Sequence, residues 1–342
     1  MVAALTEIDR RILDHLQREI PLVPQPYRDI AARLDITEQT LLDRVHALCG
    51  PPPAPIRQIS AIFDSKTLGY QSCLVAAKVD PAAIEQAAEV INQHPGVSHN
   101  YHREHAYNLW FTLAVPPDSR LGLEQTVRCL QQLSGAHQMR LMPAIKLYKI
   151  GVTFDLGVEG AAPTPTRNAR AIAGIPVALT ESARAMIRVL QQHLPVESRP
   201  FDNWARQAGV ATHELLAAAV RYRDSGMMRR FSAVLRHREI GVSANAMGVW
   251  IVPPEQCDAL GHLATQYPTV SHCYQRPTYP DWPYSIFSMV HGQTRADCEA
   301  TLAAISRASG VQDYTSLYSV YEYKKVRIKY FENDIAHWES AR

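Results

Sequence analysis

The chain has 342 residues, 46% of them apolar and 20% charged, with a formal charge of +2. That is apolar mass for two or three packed domains, without the basic surplus a nucleic-acid binder carries. The six cysteines (Cys49, Cys73, Cys129, Cys257, Cys273, Cys298) are scattered with no C-x-x-C, which excludes a zinc ribbon, an iron–sulfur site and covalent c-type heme.

No apolar run reaches the ~20 residues of a membrane span. The opening MVAALTEIDRRILDHL reads as a charged amphipathic helix and not as a secretory leader. A soluble cytoplasmic protein is expected. Leu5, Ile8, Ile12, Leu13 and Leu16 fall at helical spacing behind a Thr6 N-cap. Pro26–Leu34 follows as a short helix, and Thr37 caps a third, Glu38–Leu48. This is a helix-turn-helix, stopped by the proline run 51–55. Ile56–Phe63 and Gln71–Val79 alternate as strands, the first read as a wing. A helix at Pro81–Asn92, a strand within His99–Val115, a helix at Leu121–Leu133 and one long closing strand, Met139–Phe154, complete a β-α-β-β-α-β order. That order is the ferredoxin-like plan.

The whole unit then repeats. Leu5-Thr6-Glu7 returns as Leu179-Thr180-Glu181, Ile56–Ala61 as Met228–Ala233, and Ser98-His99 as Ser271-His272, at an offset of about 173 residues. In the second copy, helices fall within Glu181–His193, Phe201–Ala208 and Thr212–Ser225, with strands near Met228–Arg236 and Ala244–Val252. A helix at Pro254–Tyr267, a strand at Tyr284–His291, a helix at Arg295–Ser306 and a closing strand at Ser316–Tyr330 follow. The fold class expected is α+β, a tandem duplication of a winged helix-turn-helix domain followed by a ferredoxin-like domain. The divisions are 1–60 and 61–156, a Gly/Ala/Pro/Thr-rich linker at 157–177, then 178–238 and 239–334.

Two stretches concentrate polar and aromatic chemistry at the start of an apolar strand: PGVSHNYHREHAYNLWFTLAV from Pro95 and PTVSHCYQRPTYPDWPYSIFSMVH from Pro268. Trp110 reads as core, because NLWFTL alternates like a buried strand. The basic run Lys324, Lys325, Arg327, Lys329 reads first as the solvated face of the last strand, with the alternative that its alternation points charges at carboxylates. The third helix sets Glu38 and Asp43 against Arg44, and the corresponding helix of the second copy sets Glu214 and Asp224 against Arg221 and Arg223. Both are weak footprints for DNA.

A helix-turn-helix followed by a ferredoxin-like domain resembles the Lrp/AsnC regulators, through LTEIDRRILDHLQ and IRQISAIFDSKTLGY. SHNYHREHAYNLWFTL, KLYKIGVTFDL, SHCYQRPTYPDWPYSIFSMVHG and YEYKKVRIKYF resemble, more narrowly, the siroheme decarboxylases. The resemblance implies loss of the C12 and C18 acetate carboxyls of siroheme, giving 12,18-didecarboxysiroheme and CO2 on the way to heme d1 or, by an alternative route, heme. The iron arrives with the substrate, so no further cofactor is implied. Such chemistry suits a His general acid, which singles out His99, His105, His272 and His291, with His105 or His291 also placed to ligate the substrate iron. Arg103 and Arg276, with Arg57 and Arg229 behind them, would anchor carboxylates. Tyr101, Tyr107, Trp282 and Tyr284 would donate to or stack on the macrocycle. The expected partner is the iron tetrapyrrole, with no DNA and no membrane; a homodimer and hand-over to other heme-pathway enzymes are left open. The competing reading is an Lrp/AsnC-type DNA-binding regulator that senses a small ligand or heme.

Overall fold

The computed structural model describes residues 5–51, 53–150, 179–236 and 244–342. The expected linker, 157–177, lies outside the described residues. In the first copy, α1 (Glu7–Arg18) starts in a capping box in which Thr6 and Asp9 satisfy each other's backbone N–H. In α2 (Pro26–Leu34), Pro26 stands in the first turn, where its missing N–H costs nothing. α3 (Glu38–Leu48) is capped by Thr37. The second copy repeats these as α6 (Glu181–Leu190), α7 (Pro200–Gln207) and α8 (Thr212–Asp224), with Thr180 capping α6 and Pro200 opening α7.

Strands β1 (Ile56–Phe63) and β7 (Met228–Leu235) do not act as separate wings. They pair with each other, antiparallel, as a two-stranded sheet. The joint is extended symmetrically: Ile20 N–H donates to Phe231 O, and Leu194 N–H to Ile59 O. One apolar core therefore runs through both helix-turn-helix units, from Ile12 and Tyr27 to Trp204 and Phe231.

The remaining strands are β2 (Gln71–Lys78), β3 (Val97–Arg103), β4 (Leu109–Val115), β5 (Gln138–Met142), β6 (Lys146–Ile150), β8 (Ala244–Trp250), β9 (Val270–Gln275), β10 (Ile286–Gly292) and β11 (Tyr314–Lys325). They form one sheet in the order β5-β2-β4-β3-β11-β8-β10-β9-β6. The outermost strands β5 and β6 are joined by only residues 143–145, so the sheet must curl until its ends nearly meet. Its concave faces meet in a core of Trp110, Met142, Met247, Trp282, Phe287 and Leu317. On the convex side lie α4 (Ile84–Asn92) and α5 (Gly122–Ser134) over one half, and α9 (Cys257–Thr265) and α10 (Arg295–Ser309) over the other. Gly135 and Gly310 end α5 and α10 at φ 68° and 73°, a left-handed turn that a side chain would strain.

The closing strands differ from expectation. Met139–Phe154 is not one strand: it breaks between β5 and β6 at Pro143, which has no N–H for a ladder, and residues beyond 150 are not described. In the second copy β11 crosses the same point unbroken, binding β8 through Tyr314–Tyr318 and β3 through Ser319–Lys325. It stops at Lys325 rather than at Tyr330. Each closing strand thus ends on the other copy: β6 on β9, β11 on β3. Lys149 and Lys324 seal the crossings, the first donating to Thr265 O and Tyr267 O, the second to Asn92 O and His94 O. A C-terminal helix not foreseen in the sequence, α11 (Asp334–Ser340), then docks on the first copy through Trp338, its ring centroid 4.3 Å from that of His94.

Candidate active site between the two sheets

Strand alternation decides which side chains face inward. His99 and Tyr101 lie opposite Thr112 and Trp110, and His272 and Tyr274 opposite Met289 and Phe287. Trp110, Met289 and Phe287 belong to the inter-sheet core, so these histidines and tyrosines face the space between the halves. Asn100 faces the other way, donating to Ala88 O beneath α4.

At the first-copy station, Ser98 Oγ lies 2.9 Å from His99 Nδ1, and the ring stacks along Tyr101. Burial, then Lys325 and Arg57, push the His99 pKa down to about 4 against the pull of Glu322. Tyr101 shares a hydrogen bond with Glu322, and its phenol is pushed up by burial and that carboxylate. Above the station stands a group of cations. Arg57 donates to Lys325 O at 2.6 Å, and Arg327 to Ser60 Oγ at 2.9 Å. The Arg327 pKa is pushed down to about 10 by burial, Arg230 and Arg57. The Arg230 side chain, its pKa lowered by burial, makes no hydrogen bond or ion pair with any described residue. Glu322, 3.5 Å from Lys325 Nζ, is the one acid with an ion pair to any of these four cations among the described residues.

At the second-copy station the serine has two imidazoles. Ser271 Oγ lies 2.8 Å from His272 Nδ1 and 2.6 Å from His291 Nε2. The His272 pKa is pushed down to about 4 by burial, His291 and Arg276, and that of His291 is lowered by burial and Lys325. Lys325 thus acts on histidines of both copies, which ties the two stations to one space. Here the arginine over the station is neutralised: Arg229 pairs with Asp64. Burial raises Asp64, but the hydrogen bonds from Arg229 and from the Thr67 and Lys66 N–H groups outweigh it and keep the carboxyl low.

Of the residues expected at the site, His99, His272, His291, Tyr101 and Arg57 gather here. Others have different work. Arg103 is buried and donates to Leu317 O at 2.7 Å; Arg276 donates in the same way to Met142 O. Both hold the crossing of a closing strand through one guanidinium N–H. Arg229 is occupied by Asp64. His105 lies beyond the far end of β3, past the ~13 Å of strand between His99 and Arg103. Its Nδ1 accepts from Tyr107 N–H and its ring meets the edge of Trp282. It is therefore parted from the other three histidines. Trp282, with no exposed surface, fills the inter-sheet core and is not free to stack on a ligand there, with Tyr284 packed against it. Tyr107 is held by Asp281 at 2.6 Å, and Asp281 in turn by Arg140. Trp110 is core, as expected.

Sequence reasoning missed Ser271 and Arg230, and ranked Lys325 and Arg327 first as a solvated face. The repeated Ser-His pair was a signal for the serine, and the alternation of the basic run for Lys325 and Arg327. Arg230 carried none, since its place depends on β1, β7 and the end of β11 converging. No group of three or more His, Cys, Asp or Glu is arranged to hold a metal among the described residues, and no helix there is long and apolar enough to cross a membrane.

This architecture is that of a duplicated helix-turn-helix plus ligand-binding fold. The profile described as "AsnC-like ligand binding domain" matches residues 67–149 and 239–324, and that described as "Siroheme decarboxylase NirDL-like HTH domain" matches 9–50 and 183–229. The chain is 38% identical to the siroheme decarboxylase of Hydrogenobacter thermophilus over 96% of each chain. The crystal structure of the siroheme decarboxylase NirDL superposes with a TM-score of 0.79 at 34% identity, covering 98% of both chains. The structure of NirDL in complex with an iron-uroporphyrin III analogue gives 0.78 at 33%. The chain belongs to the siroheme decarboxylase family.

Proposed function

We propose that this chain decarboxylates siroheme at the C12 and C18 acetates, with the substrate held in the space that both copies border. The observation that carries the reading is the facing of half-buried histidines by a group of four cations, Arg57, Arg230, Lys325 and Arg327, that have a single carboxylate among them. Positive charges gathered with so few partners, Arg327 half-buried and the other three exposed, repel one another in the free protein, and a multiply anionic tetrapyrrole relieves this through charge-assisted hydrogen bonds. The same anion reverses the balance at His99 and His272. Cations and burial keep these rings neutral, and carboxylates brought within a few ångströms favour the imidazolium.

The reaction then balances simply. The bond from the acetate methylene to its carboxylate breaks and CO2 leaves. The electron pair delocalises into the macrocycle, and an imidazolium N–H delivers one proton to the methylene carbon to make a methyl group. Each carboxyl lost consumes one proton. His272 is the acid we assign, and Tyr101 and Tyr274 flank the space as hydroxyl donors. The product would serve either the heme d1 route or the alternative route to heme. Anaerobic incubation with siroheme tests the reading: product mass lower by two CO2 is expected, and binding with no change in mass overturns it.

A further inference from the structure

We infer that Ser271 joins His272 and His291 into one unit that stores a single proton, which makes the second copy the half that protonates the substrate carbon. This rests on the decarboxylase reading above. The two rings sit on neighbouring strands, with His272 opposite Met289, Val270 opposite Val290 and His291 N–H bound to Thr269 O; Ser271 is the extra residue of the bulge between those pairs, so it is placed by the sheet and not by a loop.

A hydroxyl has one hydrogen and two lone pairs. With both rings neutral, Ser271 donates to one and accepts from the other, so the two rings hold the same tautomer, both Nε2–H or both Nδ1–H. When His272 takes a proton, its Nδ1–H must donate to Oγ, and the hydroxyl hydrogen turns to His291 Nε2. Both hydrogens at the serine oxygen are still bonded and the charge is shared through the hydroxyl. A second proton would place N–H on both rings and leave the hydroxyl only the Met289 carbonyl, 3.4 Å away. It would also set two imidazolium ions together beside Arg276 and Lys325. The unit therefore accepts one proton, which is what each lost carboxyl consumes.

The first copy lacks this device. Ser98 Oγ reaches only His99 Nδ1. Ala114, whose N–H binds Gly96 O as that of His291 binds Thr269 O, occupies the equivalent place. Lys325 and Arg57 beside His99 make that station a place for carboxylate. The charged and titratable groups about the pair are Tyr274 on β9 and Arg276 just past its end, which with His291 of β10 face His272, and Lys325 at the end of β11, which acts on His291.

The experiment combines nitrogen-15 NMR titration of the histidines in the full chain with pH profiles of siroheme decarboxylation, for Ser271→Ala, Ser271→Thr and Ser98→Ala. In the unaltered protein His272 and His291 should titrate together with uptake of one proton. In Ser271→Ala they should titrate separately, kcat should fall by ~10-fold or more with KM nearly unchanged, and the alkaline limb should move to lower pH. Ser271→Thr should restore the limb, and Ser98→Ala should leave it in place. Independent titration in the unaltered protein, or equal shifts from Ser98→Ala and Ser271→Ala, overturns the inference. If the unaltered protein releases no CO2, the decarboxylase reading fails, while the NMR titration still decides whether the unit exists.

Discussion

The two histidine stations descend from one sequence and now differ in their chemistry. The first has Ser98, His99 and Ala114 under cations with one carboxylate among them. The second has Ser271, His272 and His291 under an arginine cancelled by Asp64. Fusion permits this. Two identical subunits would have to place the same residues on both sides of the axis; two halves of one chain can place an anion anchor on one side and a proton donor on the other.

The sharpest way to break the comparison is to exchange alanine for each histidine. His272→Ala should lower kcat by ~10²–10⁴-fold with little change in KM, the scale of general acid catalysis. His99→Ala should act mainly on KM. Steady-state rates of CO2 release check both, and equal loss of kcat from the two would show the stations to be equivalent.

The next effect concerns stability, because only the first copy is clasped by α11. Glu339, almost fully buried, accepts from Arg120 N–H and Ser119 Oγ, and Trp338 covers His94. Trp338→Ala should cost about 3 kcal/mol, seen in denaturant melts as earlier loss of the first-copy ferredoxin-like domain. His94 adds a pH dependence. Its pKa is pushed down to about 3 by burial, Lys324 and Arg342, from 6.5 in the unfolded chain. The unfolded state binds more protons between those values, so the contribution is complete above pH 6.5 and is lost as pH falls toward 3. Melting temperatures measured across that window should decline less steeply in His94→Gln, whose amide oxygen can still accept from Gly96 N–H.

The smallest effect is at the cations. Arg327→Ala or Arg230→Ala should weaken siroheme binding by roughly 10-fold, a charge-assisted hydrogen bond being worth ~1.5–3 kcal/mol. The paired Arg229→Ala should weaken it less. Equilibrium titration of the siroheme absorbance compares them, and an equal loss from Arg229→Ala would remove the charge asymmetry from the account.

Much of this was legible along the chain. The duplication is visible in paired residues such as Ser98-His99 and Ser271-His272, the helix starts in Thr6, Pro26, Thr37 and Thr180, and the inward faces of the strands in their alternation. Even the break at Pro143 had its signal. These features are local, set by backbone sterics, capping and the two-residue period of a strand. What the alternation cannot say is which surface lies opposite. Arg103 looks like a free cation until Leu317 O, 214 residues away, accepts its hydrogen bond. Asp64 cancels Arg229 across 165 residues. Arg327 looks like a solvated side chain until β1 and β7 pair above it. Sequence by itself determined the elements, the repeat and the histidine stations. Only the tertiary structure, by exchanging the closing strands between the halves, decided which arginines are struts, which are neutralised, and which remain to meet an anion, since burial and partnering are properties of the assembled surfaces.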